Sequence, residues 1–367
     1  MQSVVEVHPN CKGDDYLMIQ SLTVENFRCF EHVELSDLKR INVVVGQNAS
    51  GKTALLESIF FAGGGHSQLA LRMRAWRLLP DVQITTANPE TFEEVWRDLF
   101  FNFDQSRTIA ISLRGTPQNT RTFRIFYDAK TEHVVPVGQK LEEVATLTPL
   151  SFEYSDSEGH RSLTKAEINE RGLVLPGPTP FFMNVSMYVA GIKANPKEAA
   201  ERFSALSKKN QERHLVETLT RIFPFIDDLS VQTSAGESMV FASVSTLPEK
   251  VPVSLISEGV YRLLSVLVGI ASTKNGAVMI DELENGFYHE KLPEIWKLLL
   301  EFAEEYKTQL FVSTHSLEAL KHAGPTIKGN ESKFALLRTE RTNGNSSVRY
   351  FSGHQFLKAI EQKVDVR

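Results

Sequence analysis

Only two cysteines occur in the 367 residues, Cys11 and Cys29. Neither stands in a CxxC pair or beside a histidine cluster, so no zinc site is indicated and a reducing compartment, the cytoplasm, is expected. No apolar run reaches the ~20 residues that a membrane helix needs, and the polar opening with Pro9 and Lys12 is unlike a secretory signal. An excess of basic residues is also missing: 40 Lys and Arg face 45 Asp and Glu, a formal net charge of −5. No overall positive field therefore marks a nucleic-acid protein, although DNA contact is unsupported rather than excluded. No heptad pattern is sustained, which argues against a long coiled-coil arm, and repeats and low-complexity tracts are absent.

What is present begins with 42% hydrophobic residues, enough to bury a sizeable core in one large or two ordinary domains. The chain turns on Ile41-Asn42-Val43-Val44-Val45-Gly46-Gln47-Asn48-Ala49-Ser50-Gly51-Lys52-Thr53, which reads strand, glycine-bounded loop, helix. G-x-x-x-x-G-K-[ST] at such a turn is the phosphate-loop pattern. Glycines let the backbone approach the phosphates, and amides at a helix N-terminus form an anion-binding concavity. Asn48, Ala49, Ser50 and Gly51 line that loop, Lys52 is placed to reach the β and γ phosphates, and Thr53 to ligate Mg²⁺. The plain alternative is a glycine-rich connection.

The order along the chain supports this. Residues 1–17 read as a disordered lead-in. Leu22 and Val24 then alternate as a strand with Ile19 out of phase, and residues 32–35 alternate again, so a small sheet precedes the loop. Ala54, Leu55, Leu56, Ile59 and Phe60 make a helical stripe that stops at Gly63-Gly64-Gly65. An insertion follows, with helices expected at 69–79 and 92–101, strands at 109–113, 123–127 and 148–153, a loop at 176–180 and a charged helix within 196–222. From 259 onward helix and strand alternate, which implies a parallel sheet. Asn343-Gly344 between two short strands is a hairpin signal. The expected divisions are a lead-in 1–17, an N-terminal lobe 18–80, an insertion 81–250 and a C-terminal lobe 251–367, forming one composite head.

Val278-Met279-Ile280-Asp281-Glu282 is an apolar strand ending in two acids, and the carboxyl ends of parallel strands face the ligand crevice. Asp281 would hold Mg²⁺ and Glu282 would orient and polarise the water attacking the γ phosphate. Alone, the pair also fits an acid-rich helix start. Ser257 and Gly259, at the head of an amphipathic helix, fit either a plain N-cap or a second phosphate site for a partner's nucleotide. His315, after the apolar strand ending Val312-Ser313, is either structural or a contact to the γ phosphate or the attacking water, with Ser313 or Ser316 available as the next helix cap. His289 reads as a packing or capping residue.

These four segments, in this order, resemble the Walker A, signature, Walker B and switch-histidine motifs of the ABC-type ATPase superfamily. The opening Leu22-Thr23-Val24-Glu25-Asn26-Phe27-Arg28-Cys29-Phe30, together with Asp281-Glu282-Leu283-Glu284-Asn285, His289 and Ser313-Thr314-His315-Ser316, is similar to the soluble RecF, SMC and OLD-like branch. The resemblance implies an α/β P-loop NTPase fold of ABC-ATPase type. Its mostly parallel central sheet would be flanked by helices and carry an N-terminal antiparallel β subdomain and an α+β insertion. It implies an ATP-sandwiched homodimer in which Ser257 and Gly259 of one copy clasp the γ phosphate at Lys52 of the other. His315 becomes the switch histidine, and Arg28 a nucleotide contact, with an ion pair as the alternative.

The sequence departs from transporter ATPases. Ser257-Glu258-Gly259 lacks a Gly-Gly-Gln ending, and Ser257 follows Lys52 by 257 − 52 = 205 positions. Gln68, Gln105 and Gln118 are candidates for the Mg²⁺-ligating loop glutamine. Only about fifty residues follow Ser316, too few for the nuclease domain of OLD proteins, so an effector would be a separate chain. The expected activity is ATP hydrolysis with Mg²⁺, slow without a partner, coupled to DNA handling or to control of an effector, as in phage defence. The alternatives are a non-turnover ATP-dependent scaffold or sensor, and a RecF-like DNA-repair clamp. No Asn-Lys-x-Asp guanine-reading motif follows the loop.

Overall fold

The computed structural model describes residues 18–77, 89–116, 119–128, 133–136, 144–169, 172–175, 183–192, 194–234 and 236–365. The lead-in with Cys11, Gln118 and the loop expected at 176–180 lie outside the described residues. The elements run β1 (Met18–Phe27), β2 (Phe30–Leu35), β3 (Ile41–Gly46), α1 (Lys52–Gly64), α2 (Gln68–Trp76), α3 (Pro89–Arg97), β4 (Ile109–Thr116), β5 (Thr120–Tyr127), β6 (His133–Pro136) and β7 (Val144–Leu147). There follow β8 (Leu150–Asp156), β9 (Arg161–Asn169), β10 (Gly172–Val174), β11 (Val185–Tyr188), α4 (Pro196–Ser207), α5 (Glu212–Ile222), β12 (Ile226–Ser234), β13 (Glu237–Val244) and β14 (Val251–Pro252). The last part holds α6 (Val253–Ile256), α7 (Glu258–Ser272), β15 (Ala277–Ile280), α8 (Leu292–Glu305), β16 (Gln309–Ser313), α9 (Leu317–Ile327), β17 (Phe334–Thr342), β18 (Asn345–Ser352) and α10 (Gly353–Glu361).

The central sheet has the order β11-β15-β16-β3-β17-β18. All its pairings are parallel except the β17–β18 hairpin. Continuous apolar strands are what a sheet covered on both faces requires, and here alternate residues feed different cores. Val43, Val278, Ile280, Leu310 and Val312 point to a core shared with α7, α8 and α9. Val44, Ala277, Met279 and Phe311 point to a second core containing α1. Within that second core, α1 lies against an antiparallel sheet of order β10-β9-β8-β5-β4-β1-β2. Buried against both sheets, α1 is covered nearly all round rather than along one stripe.

The expected small N-terminal sheet is therefore larger than it looked: β1 pairs with β4 as well as β2, so strands of the insertion extend it. Local sequence could not reveal pairing between segments about ninety residues apart. Ile19 falls out of phase because the β1–β4 register shifts between Ile19 and Ser21, a bulge that returns Ile19 to the buried face. Two helices replace the one expected at 196–222, broken where Asn210 takes φ 55°. Edge strand β11, unforeseen, is short and flanks β15, and its Tyr188 carbonyl accepts from the Asp281 amide at 2.8 Å. Asn343 and Gly344, at φ 50° and 86°, form the left-handed turn that their pairing signalled.

Candidate active site

The three strands β15, β16 and β3 bring the motifs to one sheet edge. After β3 the backbone turns through Gly46 (φ 149°), Ala49 (φ 61°) and Gly51 (φ 108°). A Cβ on Gly46 would lie 2.3 Å from Thr339 Oγ1, so the loop fits only without a side chain there. Strand β17 braces it. Ser50 Oγ donates to the Gln47 carbonyl at 2.7 Å, and Thr339 Oγ1 donates to the Val45 carbonyl at 3.0 Å. Ser50 Oγ and Thr339 Oγ1 also lie against each other, so their two protons are shared among the Gln47 carbonyl, the Val45 carbonyl and this contact. The Ser50 side chain is committed to the scaffold and its backbone is what the loop offers. Lys52 Nζ donates to the carbonyls of Gly46 at 2.8 Å and Gln47 at 3.0 Å. Burial pulls the Lys52 pKa down, opposed by the carboxylates of Asp281, Glu282 and Glu284.

Asp281 is buried, and Thr53 Oγ1 donates to its Oδ2 at 3.0 Å. Ser313 Oγ donates to its Oδ1, and accepts from the Glu282 amide at 2.8 Å. Burial raises the Asp281 pKa, with the Ser313 and Thr53 hydrogen bonds pulling it back. Glu282 sits at φ 48°, a left-handed conformation unusual for a side chain of its size, which tends to persist at sites where geometry matters. Asn285 Nδ2 donates to Glu282 Oε2 at 2.8 Å. His315 Nδ1 lies 3.7 Å from Glu282 Oε1 and 3.0 Å from Glu284 Oε1.

Arg262, on α7, donates from Nη2 to the carbonyls of Asp281 at 2.7 Å and Glu282 at 2.9 Å. Gly259 packs so closely that a Cβ would lie 2.2 Å from the Gly286 carbonyl oxygen. The helix carrying Ser257 is thus fastened to the turn carrying Glu282. Ser257 occupies the N-cap position of α7 at φ −164° and ψ 141°, yet its side chain makes no capping hydrogen bond. Ser316 does cap α9, its Oγ accepting from the Ala319 amide at 3.1 Å. Ser316→Ala is expected to lose about 1 kcal/mol, read as a lower urea midpoint with unchanged m-value. An unchanged midpoint would mean that the cap contributes nothing.

Arg28 takes the ion-pair position among its two expected roles. Its guanidinium meets Glu57 at 2.7 Å and Asp98 at 2.8 Å and is 8% exposed. Gln105 Nε2 donates to the Glu93 carbonyl and to Tyr127 Oη, whereas Gln68 opens α2. His289 packs against Tyr288, the ring centroids 4.4 Å apart and the planes tilted by 53°. Four residues were missed as site members: Glu284, Arg262, Thr339 and Asn285. Glu284 and Asn285 stand directly after Asp281-Glu282-Leu283, and their proximity to the two acids was a usable signal. Arg262 and Thr339 carried none, because their roles depend on neighbours across the fold.

The donor set suits the groups that such a loop binds. A hydroxyl and a carboxylate oxygen 3.0 Å apart offer the hard oxygen ligands that Mg²⁺ prefers. The loop's left-handed residues, its lysine and a helix N-terminus with no acid in the first turn suit phosphate. Fold and site together define a P-loop ATPase of the ABC type.

The profile of the family described as "AAA domain, putative AbiEii toxin, Type IV TA system" matches residues 41–321. That is more than half of the chain, which therefore belongs to this family. An "ATP/GTP phosphatase" of Helicobacter pylori is 22% identical over 342 residues, 85% of this chain and 89% of that protein. A "DNA replication and repair protein RecF" of Idiomarina loihiensis is 45% identical over 51 residues, 14% of each chain. Among solved structures, an Smc head domain with an extended coiled coil, bound to the C-terminal domain of ScpA derived from Pyrococcus furiosus, is 13% identical. Its TM-score is 0.49, covering 95% of this chain and 99% of that one. The chain is an ATPase of this AAA family, with a stretch similar to RecF. Among the described residues no helix is long and apolar enough to cross a membrane.

Proposed function

We propose that two copies of this chain close around Mg·ATP and that closure controls DNA handling or a separate effector protein, in a toxin-like or phage-defence setting. The observation that carries the reading is Ser257: exposed, at the start of a helix of 15 residues, and making no capping hydrogen bond. Its hydroxyl and the helix N-terminus are available to a phosphate held by a second copy. The family's description as a putative toxin supports the effector setting.

In this mechanism the loop amides of Asn48 to Thr53 and the Lys52 ammonium hold the phosphates, and Thr53 and Asp281 would hold Mg²⁺. Bound there, the ion supplies neutralisation of charge on the β and γ phosphate oxygens. Glu282 orients the water and accepts its proton as the new P–O bond forms and the bond to ADP breaks. ATP and water thus become ADP and phosphate. His315, beside Glu282, addresses the γ phosphate, and Arg262 couples the chemistry to α7 by gripping the carbonyls behind both acids.

The test is the solution mass of Glu282→Gln with and without Mg·ATP. The expected result is a single chain without nucleotide that doubles in mass with it, and a Ser257→Arg/Glu282→Gln double variant that does not. An oligomer indifferent to ATP would overturn the sandwich and return Ser257 to a helix-cap position.

A further inference from the structure

We propose that Glu284 is the positioning residue that orients His315, so that the histidine, Glu282 and Glu284 act as one relay. The inference rests on the hydrolytic reading above and extends it to a residue which that reading does not use. One oxygen of Glu284 gathers three contacts. Oε1 accepts from the His315 amide at 2.9 Å and from the Ser316 amide at 3.1 Å, and it lies 3.0 Å from His315 Nδ1.

The pattern differs from an ordinary loop anchor in where its charge is spent. The Glu284 side chain is 12% exposed whereas that of His315 is 49% exposed. A half-exposed imidazole would sample several rotamers unless something fixed it. A largely buried carboxylate on one ring nitrogen does so, and it also selects the tautomer with the proton on Nδ1. The other oxygen, Oε2, is buried and accepts no hydrogen bond among the described residues, so the short-range contacts of the carboxylate all go to the ring and the two amides, while its charge also reaches Lys52 and Arg262. The nitrogen that addresses the γ phosphate is then Nε2, while Nδ1, held by Glu284, also lies 3.7 Å from Glu282 Oε1. Glu284 also joins two motifs mechanically, because it leaves the turn after β15 and grips the loop after β16.

Glu284→Gln separates this from a structural role, since an amide oxygen can still accept from both backbone amides but carries no charge for the ring. In the full chain, ¹⁵N NMR of the His315 imidazole, assigned with His315→Gln, is expected to show the Nδ1–H tautomer in the wild type. In Glu284→Gln a raised share of Nε2–H is expected. At saturating Mg·ATP, kcat should fall about 10- to 100-fold with KM little changed, the size of effect known for carboxylates that orient metal-ligating histidines. Glu284→Ala should do the same, and if that variant fails to fold, Glu284→Gln decides alone. An unchanged tautomer, or wild-type kcat in Glu284→Gln, would overturn the proposal. A wild type that hydrolyses no ATP would overturn the hydrolytic reading and the relay with it, whereas the tautomer measurement, made without nucleotide, still decides whether Glu284 orients the ring.

Discussion

Glu282→Gln is expected to lower kcat for ATP hydrolysis by about 10²- to 10⁴-fold, the usual contribution of a positioned general base, while Mg·ATP still binds. The substitution keeps the side chain's length and its capacity to accept from Asn285, whose Nδ2 lies 2.8 Å from Glu282 Oε2. It removes only the proton acceptor. Because the turn is held from behind by Arg262 and by the bond between the Glu282 amide and Ser313 Oγ, the left-handed backbone at Glu282 should survive. Steady-state phosphate release, with nucleotide affinity measured separately on the same protein, checks this. Retained turnover would move the base elsewhere, and Glu284 would be the first residue to examine.

The second large effect is on stability and lies behind the phosphate loop. Glu57 is 1% exposed on α1 and meets Arg28 at 2.7 Å and Arg77 at 2.7 Å. Removing one partner of a buried pair leaves a charge without compensation, which costs about 3–5 kcal/mol. Arg28 decides the magnitude here: it is 8% exposed, whereas Arg77, at 39%, can turn toward water. Arg28 keeps Asp98 at 2.8 Å, a carboxylate it shares with Arg74, so Glu57→Ala is expected to lose about 3 kcal/mol, the lower end of that range, read from urea unfolding with m unchanged. Removing Arg28 as well should cost less than the sum of the two single changes, since they share an interaction. A Glu57→Ala loss below about 1 kcal/mol, the scale of a surface pair, would show that the network relaxes freely. The Arg28→Ala variant also addresses the other role expected of this residue: if Mg·ATP affinity falls more than stability explains, Arg28 reaches the nucleotide.

The sequence by itself determined the motifs and the strands that carry them. Asp281-Glu282 after Val278-Met279-Ile280, and Gly46 to Thr53 after Ile41 to Val45, are legible because each is local: apolar runs end where functional residues begin, and glycines mark the turn. The hairpin at Asn343-Gly344 was readable for the same reason. Tertiary structure alone decided what meets what. It put β1 and β4 in one sheet, gave Thr53 and Ser313 to Asp281, set Arg262 against the carbonyls of Asp281 and Glu282 and aimed Glu284 at His315. These are contacts between residues distant in the chain or around a left-handed turn, where neither spacing nor hydrophobic period carries information. Their partners are selected by packing and by the cost of leaving buried charges unpaired, conditions that exist only once both sheets have closed on α1.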